Sequence, residues 1–162
     1  MDNLTIRQVG AIAATFLVAI LLAVVPTPGA LGMFWPDWVA IVLVYWCIAI
    51  PERLGIGIAW MIGLLLDGLY GSLLGEQALA KALIAYLALR FYLRLRLFPR
   101  WQQAVAIGAI IALSDIVILM IKSLVHGNVP IWRDAAPMAM NVVLWPFVFF
   151  LLREVRRRAR IS

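Results

Sequence analysis

The chain has 162 residues, of which 65% are hydrophobic and 14% charged, with a formal charge of +6 and a mean hydropathy of +1.01. One aqueous core cannot hide so much apolar surface at this length, so lipid is the expected solvent and the chain is read as an integral membrane protein. The basic residues sit at the ends of apolar stretches, which argues against nucleic acid as a partner, and a single Cys47 with a single His126 cannot build a zinc, haem or iron–sulfur ligand set.

Six apolar stretches follow one another, separated by short polar breaks. The first, 9–25, is preceded by Arg7 alone and followed by Pro26-Thr27-Pro28-Gly29 without a small-x-small cleavage pattern. It is expected as a retained membrane helix, not as a signal peptide. The second, 36–50, carries an apolar run of only 13 residues from Trp38 to Ile50, between Asp37 and Pro51. A span so short is expected to pack against neighbours or to start with a bend. The third, 54–74, contains Asp67 and ends in Gly71-Ser72-Leu73-Leu74-Gly75, a small-xxx-small element of the kind that lets helices approach closely. The fourth, 78–93, carries Lys81 near its start and Arg90 near its end. The fifth, 104–125, contains Asp115 and, close to its end, Lys122; the sixth, 135–152, contains Asn141 and Pro146. Pro51-Glu52-Arg53, Gly75-Glu76-Gln77 and Pro99-Arg100 punctuate the series. The expected architecture is all-α: one integral membrane domain over residues 1–162, with six transmembrane helices in a compact bundle.

Arginine sets its orientation. With alternating spans, Arg7, Arg53, the group Arg90, Arg94, Arg96 and Arg100, and the group Arg153, Arg156, Arg157, Arg158 and Arg160 fall on one side. They make up eleven of the fourteen basic residues. Lys122 and Arg133 fall on the other side, and Lys81 lies just inside a span. Positive charge in short loops stays in the cytoplasm, so both termini are expected there. Trp35, Trp38 and Trp132 then lie at the outer interface and Trp101 at the inner one, while Trp46 and Trp145 are expected between helices. The arginine-rich stretches 94–100 and 153–160 set topology and touch anionic lipid, or they dock an intracellular partner.

Ionisable groups inside a span cost about 2.5–3.5 kcal/mol each at the bilayer centre by insertion scales, so each needs a partner or a purpose. Asp67, Lys81, Asp115 and Asn141 are therefore the candidate binding residues, as an intramembrane polar network or an outer-mouth contact. Asp67 and Lys81 lie on either side of one tight turn and are expected to meet as an ion pair. That pair reads as a pin between two helices, as part of a proton or ion relay, or as a contact for a partner or ligand. Asp115 falls at a depth similar to Asp67, near the middle of the bilayer or somewhat outward, and Asn141 in the sixth span is expected as a hydrogen-bond neighbour of the two acids. No phosphate-cradling loop, metal-ligand spacing, nucleophile elbow or carboxylate cluster is present, so no catalysis and no cofactor are expected.

Several local patterns recur in one order: Trp35-Pro36-Asp37-Trp38, Tyr45-Trp46 with Ala49-x-Pro51, and Gly63 with Asp67 and Gly71. Leu74-Gly75 before Ala78-Leu79, Tyr86-Leu87, Trp101-Gln102-Gln103, Asp115, and Asn141 with Leu144-Trp145-Pro146 complete it. In this order and spacing the chain resembles the MreD family of rod shape-determining proteins of bacterial inner membranes, over almost its full length. The resemblance implies a non-catalytic member of the cell-elongation complex. Such a protein works with the scaffold MreC as direct partner, the actin-like MreB, the glycosyltransferase RodA and a class B penicillin-binding transpeptidase. It also implies a fold similar to the substrate-binding subunits of energy-coupling-factor transporters, six helices around a pocket. A small-molecule-binding transporter subunit is the alternative function.

Overall fold

The structure, a computed structural model, describes residues 6–127 and 135–161; Trp132 and Arg133 lie outside them. Among the described residues there are six α-helices and no strand. They are α1 (Ile6–Val24), α2 (Trp38–Ala49), α3 (Ile56–Tyr70), α4 (Glu76–Leu97), α5 (Arg100–His126) and α6 (Ala135–Arg158), with a short 3-10 helix, Gly29–Phe34, leading into α2.

The shortest helix is the centre of the bundle. Every residue of α2 from Val39 onward is buried, and α1, α4 and α6 pack around it. Its 12 residues reach about 18 Å, well short of the ~30 Å of a bilayer's hydrocarbon core. It needs no greater length, because protein surrounds it and charged side chains cap both ends. At its start the Asp37 carboxylate accepts from the Ala40 amide at 2.9 Å. At its end the Arg96 guanidinium donates to the Ile48 carbonyl at 2.6 and 2.9 Å and to the Ala49 carbonyl at 3.1 Å. An anion at the first turn and a cation at the last both complement the helix dipole.

Apolar side chains also dominate the outer surface. Leu17 and Leu21 of α1, Met61 and Leu65 of α3, Leu93 of α4, Met120 of α5, and Phe147 and Leu151 of α6 are all more than half exposed. A water-soluble domain does not expose so many large apolar side chains. Two helices, α1 and α5, are long and apolar enough to cross a bilayer. The chain is a membrane protein with many exposed apolar side chains around a bundle that buries Asp67, Lys81, Gln103 and Asn141.

Helix limits depart from the apolar stretches in two ways. First, α3 stops at Tyr70, so Leu73 and Leu74 belong to a turn and not to a span. Gly71 closes α3 at φ +62° and Gly75 opens α4 at φ +102°, left-handed conformations that favour glycine. The expectation that Gly71 and Gly75 form a helix-packing element is thereby corrected: they make the turn. The close approach belongs to Gly63, where an added Cβ would lie 2.3 Å from the Ala78 Cα, so the backbones of α3 and α4 touch. Second, α4 runs on to Leu97, α5 begins at Arg100 and α6 reaches Arg158. Arginine and leucine are good helix formers, so the hydrogen-bonded helix continues where apolar character stops.

Antiparallel alternation sorts the ends. Gln8 of α1 donates to the Arg160 carbonyl at 2.7 Å and Arg96 reaches the end of α2, so these arginine-bearing ends gather at one pole. Trp35, Asp37, Tyr70, Gln77, Lys122 and Asn141 gather around a cavity at the other.

Candidate functional site

A cavity of about 240 Å³ opens at the pole opposite the arginines, lined by Trp35, Asp37, Tyr70, Gln77, Lys81, Asp115, Lys122 and Asn141 among others. Its polar centre is a buried ion pair. Lys81, 1% exposed, donates from Nζ to Oδ2 of Asp37. Asp37 reaches that place because it caps α2: Oδ1 is committed to the Ala40 amide, which leaves Oδ2 for the lysine. The Asp37 backbone N–H donates to Oδ1 of Asn141 at 3.0 Å, fastening α6 to the start of α2. One donor remains. Asn141 is 1% exposed, and its Nδ2 amide has no hydrogen-bond partner among the described residues.

The expected pairing of Asp67 with Lys81 is corrected by this geometry. Asp67, itself 1% exposed, serves the α3–α4 turn. Its Oδ1 accepts from Ser72 Oγ at 2.9 Å and from the Gln77 amide at 2.8 Å; its Oδ2 accepts from the Gly75 amide at 2.8 Å and the Ala78 amide at 3.3 Å. Gly75 has no side chain to cap α4, and a carboxylate from the preceding helix does so instead. The turn also bends back on the Asp67 carbonyl, which accepts from the amides of Gly71 and Ser72. With both oxygens occupied by three amides and a hydroxyl, Asp67 needs no lysine.

Of the four residues singled out from sequence, Lys81, Asp115 and Asn141 line one cavity, and Asp67 lies beside it, joined through the Gln77 backbone. Asp115 and Asn141 share the cavity wall, and the side-chain oxygen of Asn141 accepts from the Asp37 backbone N–H. Sequence reasoning missed Asp37 because an acid ahead of an apolar run reads as a boundary. Its place in Trp35-Pro36-Asp37-Trp38 was the available signal. Lys122 and Glu76 were missed as a pair as well. They stand 3.3 Å apart at the rim, close enough for an ion pair but without hydrogen-bond geometry on Glu76 Oε1.

The arginine pole has its own polar anchors. Gln103, 1% exposed, donates to the Leu95 carbonyl at 3.0 Å and accepts from Trp145 Nε1 at 3.3 Å, tying α4, α5 and α6 together. Nearer the middle, Trp46 Nε1 donates to Thr15 Oγ1 at 2.9 Å, joining α2 to α1. The described residues include no group of acids, histidines and cysteines able to hold a metal ion.

The chain's relatives give this geometry its setting. The family model for the rod shape-determining protein MreD matches residues 5–155. The rod shape-determining protein MreD of Haemophilus influenzae is 30% identical over 161 residues, covering 99% of each chain. This chain belongs to the MreD family. No solved structure matches it. Residues quoted for the MreD resemblance now have physical roles: Asp37 and Asn141 join at the cavity, Asp67 with Gly71 and Gly75 builds the α3–α4 turn, and Gln103 with Trp145 locks the arginine pole. Membership of the MreD family implies a part in determining rod shape.

Proposed function

We propose that this MreD-family chain is a non-catalytic, multi-pass component of the bacterial inner membrane within the cell-elongation complex. All six helices lie in the bilayer, with the arginine pole and both termini in the cytoplasm and the cavity facing the periplasm. There the protein binds MreC and so helps to couple MreB filaments to wall synthesis by RodA and a class B penicillin-binding transpeptidase. The observation behind this reading is the family match across nearly the whole chain. The cavity pole supports the place of contact. The connections there include only short segments in the described residues, so a partner would meet helix ends and the cavity rim, with Lys81, Asp115 and Asn141 beneath.

Exposed rim groups test the contact without dismantling the bundle. Tyr70 is 45% exposed, and the Lys122 side chain is 43% exposed. Tyr70→Ser combined with Lys122→Glu is expected to reduce co-purification of MreC from detergent while leaving protein abundance unchanged. Full retention of MreC by that variant would refute contact at the rim. Depletion in a rod-shaped host is expected to give round cells; unchanged rods with a nutrient-uptake defect would refute the elongation role.

One observation favours a second reading, a small-molecule-binding subunit with the pocket of energy-coupling-factor substrate-binding proteins. The Asn141 amide is buried without a partner at the wall of a polar cavity, and a ligand carbonyl or carboxylate would satisfy it. A small molecule that remains bound through purification and is lost in Asn141→Leu would favour this alternative.

A further inference from the structure

The arginine pole holds a second cavity, also about 240 Å³, that contact with a periplasmic partner leaves without a role. Four arginines line it: Arg96 from α4, Arg100 from α5, and Arg153 and Arg156 from α6. Tyr45 and Phe149 contribute rings, and among the described residues no carboxylate lines the space. Among the described residues, no acid lies within ion-pair distance of any of the four. The acid nearest in sequence, Glu154, is occupied by Arg157 and Arg158, each at 2.9 Å. Those two bonds hold its carboxyl below the ordinary range.

Like charges gathered around one volume repel, so folding alone does not favour this arrangement. The contacts the arginines make orient them without neutralising them. Arg96 is held by the carbonyls ending α2. Arg100 lies 3.9 Å over the Phe149 ring and donates to Gln103 at 3.3 Å, and Arg156 donates to the Ile161 carbonyl at 3.1 Å. Arg153 makes no hydrogen bond or ion pair among the described residues. A guanidinium has five N–H donors in a fixed fork, so most donors here remain available. Several such forks with no acid among them match the oxygens of a phosphate. Depth narrows the source. The cavity lies where α2 ends and apolar helix faces give way to arginine, the level of lipid headgroups.

We propose that this cavity seats the phosphate of an anionic phospholipid headgroup in the leaflet at the arginine pole. The assignment rests on that pole lying at a membrane surface, and is independent of any contact with MreC. The full chain, purified in detergent, would be titrated with phosphatidylglycerol, phosphatidylcholine or inorganic phosphate. Bound lipid is read by native mass spectrometry, and stabilisation by apparent melting temperature. Phosphatidylglycerol is expected to bind in preference to phosphatidylcholine. Arg100→Gln with Arg153→Gln should weaken it about thirtyfold, at about fivefold per arginine near a membrane surface. Arg157→Gln with Arg158→Gln removes the same charge outside the cavity and should weaken it less than about threefold. Equal weakening by both double variants, absence of a headgroup preference, or equal stabilisation by inorganic phosphate would overturn the proposal. Should the cavity double variant melt early in phosphatidylcholine alone, Arg153→Gln by itself decides. It breaks no bond within the described protein and should still weaken binding about fivefold.

Discussion

Replacing Asp67 by alanine sets two physical effects against each other. If the dominant fact about Asp67 were its charge in an apolar helix, removing it would stabilise the membrane-embedded protein, by about 2.5–3.5 kcal/mol on insertion scales. The structure gives the opposite sign. Alanine would strand the amides of Gly75, Gln77 and Ala78 at the start of α4 and release the Ser72 hydroxyl. A lost helix cap costs about 1 kcal/mol, and each buried amide left without an acceptor costs about 1–3 kcal/mol. These costs overlap, and partial rehydration of the turn relieves some of them, so a net loss of about 3 kcal/mol is expected. For a chain of this size that lowers the melting temperature by about 6–12 °C. Tryptophan fluorescence during heating of the detergent-purified protein measures it. Ser72→Ala, which removes one of four bonds, should cost about 1 kcal/mol and serves as the graded control. An Asp67→Ala protein that melts with the parent or above it would refute the capping role.

Three further outcomes follow from the packing and the ion pair. Gly63→Ala drives a methyl group into the Ala78 backbone and should cost about 1–3 kcal/mol or displace α4, whereas Gly68→Ala meets open space and should be near neutral in the same melting assay. Lys81→Met leaves the partly exposed Asp37 without its cation and should destabilise by about 3 kcal/mol, the low end of the range for breaking a buried pair. The double variant Asp37→Asn with Lys81→Met should recover part of that loss, and strict additivity in the cycle would contradict the pairing. Gln103→Leu removes the bonds to the Leu95 carbonyl and the Trp145 indole together, and should loosen the arginine pole, read as faster proteolysis near residues 95–103.

Much of the architecture was legible because lipid imposes a simple code: apolar stretches become helices, and arginine marks their ends. What the code lacks is contact between distant parts of the chain. Lys81 is 14 residues from Asp67 but 44 from Asp37, and proximity in sequence pointed to the wrong acid. Asn141 lies 104 residues from Asp37, a separation that hydropathy does not bridge. Hydropathy carries the third span through Leu73 and Leu74 because it weighs side chains and not backbone. The left-handed glycines on either side turn the chain regardless of those leucines. The arginine cavity was visible only as two basic stretches. That Arg96, Arg100, Arg153 and Arg156 surround one space required the antiparallel packing of α4, α5 and α6.

Sidedness is tested most directly by thiol labelling of intact cells. Cys47 is fully buried, so in a Cys47→Ala background two exposed positions can be probed cleanly: Leu74→Cys in the α3–α4 turn and Arg157→Cys at the end of α6. A membrane-impermeant maleimide should modify the first in whole cells with a permeabilised outer membrane, and the second only after lysis. Labelling of position 157 in whole cells, with position 74 protected, would contradict the proposed orientation and with it the proposed periplasmic setting of the Asp37, Lys81 and Asn141 cavity.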